Sequence, residues 1–432
     1  MCYETAMTAN VSHRGLLASA GGDCIACADC GLTQRLPPLV SGRVAECLRC
    51  HKVFARPAAG SLDGALALLL AALLAWIPAS IADLMVVGAN GAVRSGGLAN
   101  GVMALWDIGF PFLATLVALF SIVVPWVFLA LLAYVLASVR LHAPSVRARG
   151  PSPVAVLFRW ARHLRPWVMM EVYLIGACVA YSRLDQVAHV TIGPAGWSLA
   201  AAAVLTLLAL AELDERTVWE AFPCAPGVER RETGAPSRSI ACLVCDLLAH
   251  DVREGDRCLR CGAVLEARKH RSVQRTAALV LAGFLLYIPA NLLPVLAVER
   301  YGRDEPNTIL GGVVELAHIG LWPLAAIVFG ASIVIPLVKL SALSWNLFLT
   351  SRGSPHLLVA RTRLHRWVDV IGRWSNIDVF VISLLVALVQ FGTLERVRPQ
   401  SGVVAFAAVV VVTMIAARSF DTRLMWDAGR EG

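Results

Sequence analysis

Lysine is nearly absent from this chain of 432 residues: Lys52, Lys269 and Lys339 stand against 35 arginines. Charge of any kind is scarce, at 16% of residues, and aromatics make up only 7%. So low a charge density excludes a soluble fold of this length, which would need more ionic surface. No Gly-Lys dipeptide occurs anywhere, so there is no GxxxxGK[ST] phosphate loop and no ATPase of that kind. Residues Met1 to Leu17 lack an apolar core, and a cleaved signal peptide is not expected there.

What fills the chain is hydrocarbon, 58% of residues with a mean hydropathy of +0.68. Uncharged runs cover Gly64 to Ala82, Ile108 to Val139, Val190 to Ala211, Thr276 to Val298 and Ile319 to Val338. Each approaches or exceeds the roughly 20 residues that cross a bilayer core. Val172 to Ser182, Val379 to Leu394 and Gly402 to Ala417 become spans once their flanks are counted.

Two stretches repeat each other. Cys47-Leu-Arg-Cys50 and Cys258-Leu-Arg-Cys261 lie 211 residues apart, and the same offset carries Trp76-Ile-Pro-Ala onto Tyr287-Ile-Pro-Ala and Ser121 to Pro125 onto Ser332 to Pro336. At an offset of 207, Trp167 falls on Trp374, Glu171 on Asp378, Asp214 on Asp421 and Trp219 on Trp426. The repeated unit is a cysteine knuckle pair followed by a membrane module.

Arginine sets the orientation, because short cytosolic loops accumulate basic residues. Six arginines and no acid lie from Arg140 to Arg165, and five arginines with Asp369 alone from Arg352 to Arg373. Both loops are expected in the cytosol. The opposite loops, Gly88 to Gly97, Ala188 to Gly196, Glu299 to Thr308 and Glu395 to Gln400, are short and nearly balanced. The net charge of +8 is therefore a topology signal, and no nucleic-acid partner is expected. Parity requires Ile108 to Val139 to be one long helix bent at Pro125, with Gly312 to Thr350 as its twin. The count is then four spans per module, eight in all.

Eight of the twelve cysteines form CxxC pairs, Cys27/Cys30 with Cys47/Cys50 and Cys242/Cys245 with Cys258/Cys261. Two such pairs at ribbon spacing suit tetrahedral Zn²⁺ held by four thiolates. A lone CxxC could be a redox pair or a disulfide, but no βαβ pattern surrounds these and cytosolic thiols stay reduced. Two structural zinc ribbons are expected. Cys24-Ile-Ala-Cys27 is also a CxxC, so Cys24 competes with Cys30 as a ligand; Cys2, Cys178 and Cys224 have no twin.

Ionisable groups at membrane depth are functional candidates by default. Lys339 follows a long uncharged run, and its twin is Phe128. Ser332, seven residues earlier, and His318, fourteen before that, are expected on its helix face. Asp378 is the expected partner, with Ser375 one turn earlier and Glu171 as its twin in the first module. The bland alternative has Lys339 snorkelling to the interface and Asp378 facing headgroups. Asn291 sits between Pro289 and Pro294 in a segment whose bends either line a cavity or only kink the packing.

Tyr287-Ile-Pro-Ala-Asn-Leu-Leu-Pro294, Ala331-Ser-Ile-Val-Ile-Pro-Leu-Val-Lys-Leu340, Gly372-Arg-Trp-Ser-Asn-Ile-Asp-Val-Phe380 and Phe420-Asp-Thr-Arg-Leu-Met-Trp-Asp427, with the doubled CxxC ribbons, are similar to motifs of the paraquat-inducible protein A family. The resemblance spans residues 27 to 426. It implies a component of the bacterial inner membrane that loads or extracts phospholipid for a periplasmic MCE-domain partner forming a tunnel. It also implies a polar cluster of Ser332, Lys339, Ser375 and Asp378, a candidate for proton-coupled movement. The first module departs from the motifs: Ser80 stands for Asn291, Phe128 for Lys339, and Arg165-Pro-Trp-Val for Gly-Arg-Trp-Ser.

The expected fold class is an all-α polytopic membrane protein of two tandem repeats. Its parts are a tail at 1–23, a ribbon at 24–56, a module at 62–219, a linker at 220–238, a second ribbon at 239–268, a second module at 273–426 and a tail at 427–432. Both termini and both ribbons are expected in the cytosol. Besides a lipid transporter, two other readings fit: a passive scaffold that anchors the tunnel, and a membrane oxidoreductase using His189 and His318 for haem or quinone. Those histidines are not repeat equivalents.

Overall fold

Along residues 62–81, Ala65, Leu69, Ala72, Trp76 and Ala79 return every three or four positions, the spacing of one helix face, and that face is buried. It packs on Pro194–Glu212, whose buried Ala195, Leu199, Ala202 and Ala203 let the two backbones approach closely. The second module pairs Ser272–Leu292 with Ser401–Ser419 in the same way. In the computed structural model the described residues are 24–35, 45–55, 61–89, 92–141, 151–185, 188–222, 239–300, 303–388 and 395–428. Arg147 and Arg149 of the first basic loop, Cys2 and Cys224, the first tail and most of the linker lie outside them.

Among the described residues eight helices are long and apolar enough to cross a membrane: Leu62–Ile81, Pro111–Leu141, Pro153–Leu184, Pro194–Glu212, Ser272–Leu292, Trp322–Ser351, Leu358–Leu388 and Ser401–Ser419. They are called the first to eighth spans in chain order. The chain is a multi-pass membrane protein built as two four-helix repeats.

The second and sixth spans are bent by proline. Pro125 and Pro336 lack an N–H and their rings crowd the carbonyl four residues back. Each helix responds with a π-helical turn just ahead of or at that position, Leu119–Val123 and Gly330–Val334. The Tyr287 hydroxyl donates to the Ile333 carbonyl at 3.2 Å, within the second of these turns.

The long uncharged runs are not single helices over their whole expected length. Ile108 lies at the end of a short helix, Leu98–Asp107, and the second span starts only at Pro111. Likewise Ile309–His318 is a separate helix ahead of the sixth span at Trp322. The turns between them place Gly109 at φ +92° and Gly320 at φ +89°, left-handed backbone that glycine adopts without a Cβ clash. His318 therefore does not share a helix with Ser332 and Lys339, and its side chain is exposed.

The loops on the side away from the ribbons form two small sheets. Met85–Ala89 lies between Ala92–Gly96 and His189–Ile192, all antiparallel. Leu296–Arg300 lies between Arg303–Asn307 and Glu395–Pro399 in the same order. Each sheet ties the far ends of all four spans in its module, since its hairpin follows the first helix and its third strand joins the last two. The Asn90-Gly91 dipeptide, favoured in tight hairpin turns, was the sequence signal for the first.

The modules meet through repeat equivalents. Tyr173 packs on its own equivalent Phe380, ring centroids 5.1 Å apart, and the Asn376 amide reaches its equivalent Met169 at Sδ, 2.8 Å away. A Cβ on Gly176 would lie 3.4 Å from that of Phe380, so the third and seventh spans come close there. Residues that face their own copies mark a pseudo-two-fold axis between the modules.

The ribbons dock across this axis. The first ribbon sits on the second module: Arg366 of the seventh span donates to Asp29 Oδ2 at 2.6 Å, to the Cys50 carbonyl at 2.9 Å and to Cys50 Sγ at 3.1 Å. Arg49 lies over the Trp426 ring at 4.4 Å. The second ribbon sits on the first module, where Gly262 packs on Pro151 and on Arg159, the repeat equivalent of Arg366. One difference between the halves is local. Trp426 Nε1 donates to Thr362 Oγ1 at 3.1 Å, whereas its equivalent Trp219 has Ala155 at that position and a buried Nε1 with no partner.

Where the second ribbon runs into the fifth span, Asp421 gathers the Lys269 amide at 3.0 Å and the Arg423 guanidinium at 2.9 and 2.7 Å. Burial alone would raise this carboxyl, yet the Arg423 contacts and the backbone donors together hold it below the usual carboxylate range. A depressed folded pKa contributes stability above the unfolded value, about 3.9, which is lost as pH falls through the folded value. Asp421→Asn is thus expected to lower the unfolding temperature at pH 7. The gap should narrow on acidification below about pH 4; a gap independent of pH in a detergent melting series would show that charge is not the cause.

Candidate functional site: metal ribbons and an intramembrane polar cluster

Each CxxC knuckle closes on a residue with left-handed backbone just after its second cysteine: Gly31 (φ +71°), His51 (+55°), Asp246 (+56°) and Gly262 (+69°). That turn brings the amide of this residue back onto the carbonyl of the first cysteine, as in Gly31 to Cys27 at 2.8 Å and Gly262 to Cys258 at 2.8 Å. The sulfurs of Cys27, Cys30, Cys47 and Cys50 thereby converge, as do those of Cys242, Cys245, Cys258 and Cys261, each set within 4.8 Å and buried. Cys30 completes the first set, which answers the competition from Cys24.

Closest approaches are 3.5 Å for Cys27–Cys50 and Cys30–Cys47, 3.6 Å for Cys242–Cys261 and 3.5 Å for Cys245–Cys258. A disulfide needs about 2.05 Å. Tetrahedral sulfurs about 2.3 Å from a zinc-sized ion stand about 3.8 Å apart. Both sets therefore fit a metal ion, and four protein ligands leave no position for a reacting water.

Inside the membrane modules, the sixth and seventh spans run antiparallel, and the π-helical turn at Ser332 packs on a tight 3₁₀ turn at Gly372–Asn376. Lys339 is 2% exposed, and its ammonium donates to Thr413 Oγ1 at 3.0 Å. It lies against Gly372, where a Cβ would stand 2.7 Å from Nζ, so glycine makes the room. Asp378, also buried, has the Ser332 hydroxyl and the Arg183 guanidinium as its neighbours. Arg183 comes from the third span, so the first module contributes to the site.

Lys339 and Asp378 form no ion pair in the structure. Their helices run in opposite directions with Ser332 beside Asp378 and Lys339 beside Gly372. Seven residues at ~1.5 Å each then separate the two charges by about 10 Å along the axis. Between them lie Ser375 and Asn376, 1% exposed each. Ser375 Oγ, Asn376 Oδ1 and Ser332 Oγ have no hydrogen-bond partner. The equivalent of Ser332 in the first module, Ser121, is satisfied by the Val117 carbonyl at 2.7 Å. Among the described residues the second module thus gathers three unpaired side-chain oxygens here, with Arg183 Nε of the first module also unpaired beside Asp378, each costly in hydrocarbon unless something polar visits them.

The other expected residues lie elsewhere. Glu171 pairs across the module interface with Arg373 at 3.3 Å. Asn291 donates to the Tyr287 carbonyl of its own helix at 2.9 Å. His189 and His318 are exposed on the sheet of one module and a short helix of the other, not a facing pair. Thr413 and Arg183 were not anticipated. Thr413 could have been found as the repeat equivalent of Thr206, and Arg183 as an arginine near the end of an apolar run.

The family model described as Paraquat-inducible protein A matches the chain twice, at residues 62–223 and 273–429. Among curated proteins, the Intermembrane transport protein PqiA of Escherichia coli (strain K12) is 32% identical over 423 residues, 93% of this chain and 95% of its own length. The Lipophilic envelope-spanning tunnel protein A of the same organism is 30% identical over 412 residues, 95% of this chain and 93% of its own. A Probable intermembrane transport protein of Haemophilus influenzae is 27% identical over 406 residues. No solved structure matches the chain. With both membrane modules matched separately and relatives aligned over nearly the full length, the chain belongs to the paraquat-inducible protein A family.

Proposed function

We propose that this protein moves phospholipid between the bilayer and an intermembrane transport path. The observation that carries this reading is the buried cluster of the second module, where Lys339, Asp378 and three unpaired polar atoms stand inside a membrane-spanning bundle. The names of its relatives, intermembrane transport and envelope-spanning tunnel proteins, support the direction of the reading. In it, the protein resides in the inner membrane with ribbons and termini cytosolic, as the arginine bias argues. Each ribbon holds Zn²⁺, and the partner is a periplasmic MCE-domain protein.

The chemistry of the cluster is a proton relay. Asp378, bordered by Ser332, exchanges protons with Lys339 through Ser375 and Asn376, whose free oxygens can order a bridging water. Loading and unloading of this pair would couple the proton gradient to opening of the bent sixth span.

A second reading, a passive scaffold, is favoured by the contact between the two ribbons, which makes one continuous surface on that side of the membrane. Purified protein in liposomes carrying a fluorescent phospholipid separates the two. Transport predicts movement of label that depends on a pH gradient. A rate equal to that of empty liposomes leaves the scaffold.

A further inference from the structure

The seam between the modules gathers cations on the ribbon side of the polar cluster. Arg418, near the end of the eighth span, lays its guanidinium over Trp167 with Cζ 5.0 Å from the ring centroid. Trp167 is stacked in turn on Phe120, centroids 5.2 Å apart and planes 6° from parallel. The two rings belong to the first module and Arg418 to the second. No acceptor takes the guanidinium N–H groups of Arg418 among the described residues.

Neighbouring charges make the seam positive. Arg373 and Asp369 are the charged groups that Arg418 feels, and Lys339 feels Arg418 and Asp369. His163, from the first module, faces Arg159, Arg162 and Arg418 without an acid. The acids present are Glu171, held by Arg373, Glu215, held by Arg162 and Arg165, and Asp369. Arg418, Arg159 and Lys339 are left with Asp369 alone to offset them.

A guanidinium flat on an indole keeps its N–H edge free, and that edge matches two phosphate oxygens. Its level is also that of a headgroup, at the last turn of a span beside a tryptophan. Basic pockets between membrane helices hold phosphate headgroups by this means. We propose that this seam binds the phosphate of a phospholipid headgroup, with Arg418 and Arg373 as its donors and Trp167 as its wall. The assignment to lipid rests on the transport reading; a free phosphate ion would meet the same donors.

Native mass spectrometry of the full chain in detergent tests it, using phosphatidylglycerol, a galactosyl diacylglycerol of matched acyl chains, and inorganic phosphate. Phosphatidylglycerol is expected to bind at least about tenfold more tightly than the phosphate-free lipid. Arg418→Gln and Arg373→Gln should each remove most of that preference and leave galactolipid binding unchanged, while Arg418→Lys keeps part of it. Equal binding of the two lipids, or a preference intact in both glutamine variants, overturns the site. Displacement of the lipid by millimolar inorganic phosphate overturns the headgroup assignment in favour of the free ion. Because binding is read without transport, a chain that binds as expected yet moves no lipid would sink the transport reading alone.

Discussion

Lys339→Ala and Asp378→Asn are each expected to insert, to keep both metal equivalents, and to move phospholipid about a hundredfold more slowly than the native chain, the scale of losing a positioned proton carrier. The argument is geometric. Lys339 is enclosed by Gly372 and Thr413, and Asp378 by Ser332 and Arg183. Neither has the other as a counter-ion, so Lys339→Ala leaves Asp378 with its neighbours, while Asp378→Asn keeps a polar group beside Arg183 but removes the charge that faces it. Lys339→Ala therefore separates an effect on transport from an effect on folding, and an unchanged melting temperature is the control for Asp378→Asn. Lys339→Met, which keeps the volume, should behave like Lys339→Ala; full transport by the methionine variant would show that the ammonium is not used. Ser332→Ala, which removes only an unpaired hydroxyl, should cost less than Asp378→Asn.

Loss of metal from the first ribbon is expected to have the largest effect on structure. Cys47→Ser with Cys50→Ser should drop bound metal, zinc in the reading proposed above, from two equivalents to one, and protease should then cut the first ribbon while sparing the second. Zinc supplies about 10–16 kcal/mol to folding of such knuckles, far beyond what so small a core contributes by itself. The consequence reaches into the membrane because Arg366, which donates to Cys50 Sγ and Asp29, is part of the span that carries Ser375 and Asp378. A lowered melting temperature of the second module, with the first unchanged, is the expected readout. If elemental analysis finds two zinc ions in the double variant, the ligand set is wrong.

Periodicity and composition carried most of the architecture. The duplicated motifs, the eight spans and the cysteine sets were all legible, because long apolar runs and CxxC spacing are local signals. Elements that depend on backbone conformation were not. Gly109 and Gly320 end helices at the edges of long apolar runs, two residues after Asp107 and His318, and no hydropathy pattern distinguishes a left-handed turn from a continuing helix there. His318 was misplaced for that reason. The six strands were hidden by their brevity, although Asn90-Gly91 stood in plain view.

The expected Lys339–Asp378 pair failed on a different point. Helix faces can be read from one sequence, but the register of two antiparallel helices cannot, and a slip of one turn moves a partner by about 5.4 Å. The crossed docking of the ribbons was equally unreadable. Arg366 and Arg159 are repeat equivalents, so the alignment says that they play matching parts but not that each holds the ribbon of the other repeat.

Crossing also fixes an order of events during synthesis. Asp29 and Arg366 are separated by 337 residues, and at about 5–20 residues per second a ribosome needs tens of seconds to make the second after the first. The first ribbon can take up metal early but finds its seat only when the seventh span and Trp426 have been made. A chain stopped short of them would carry a loaded ribbon with no place to dock, so protection of the first ribbon reports a finished molecule.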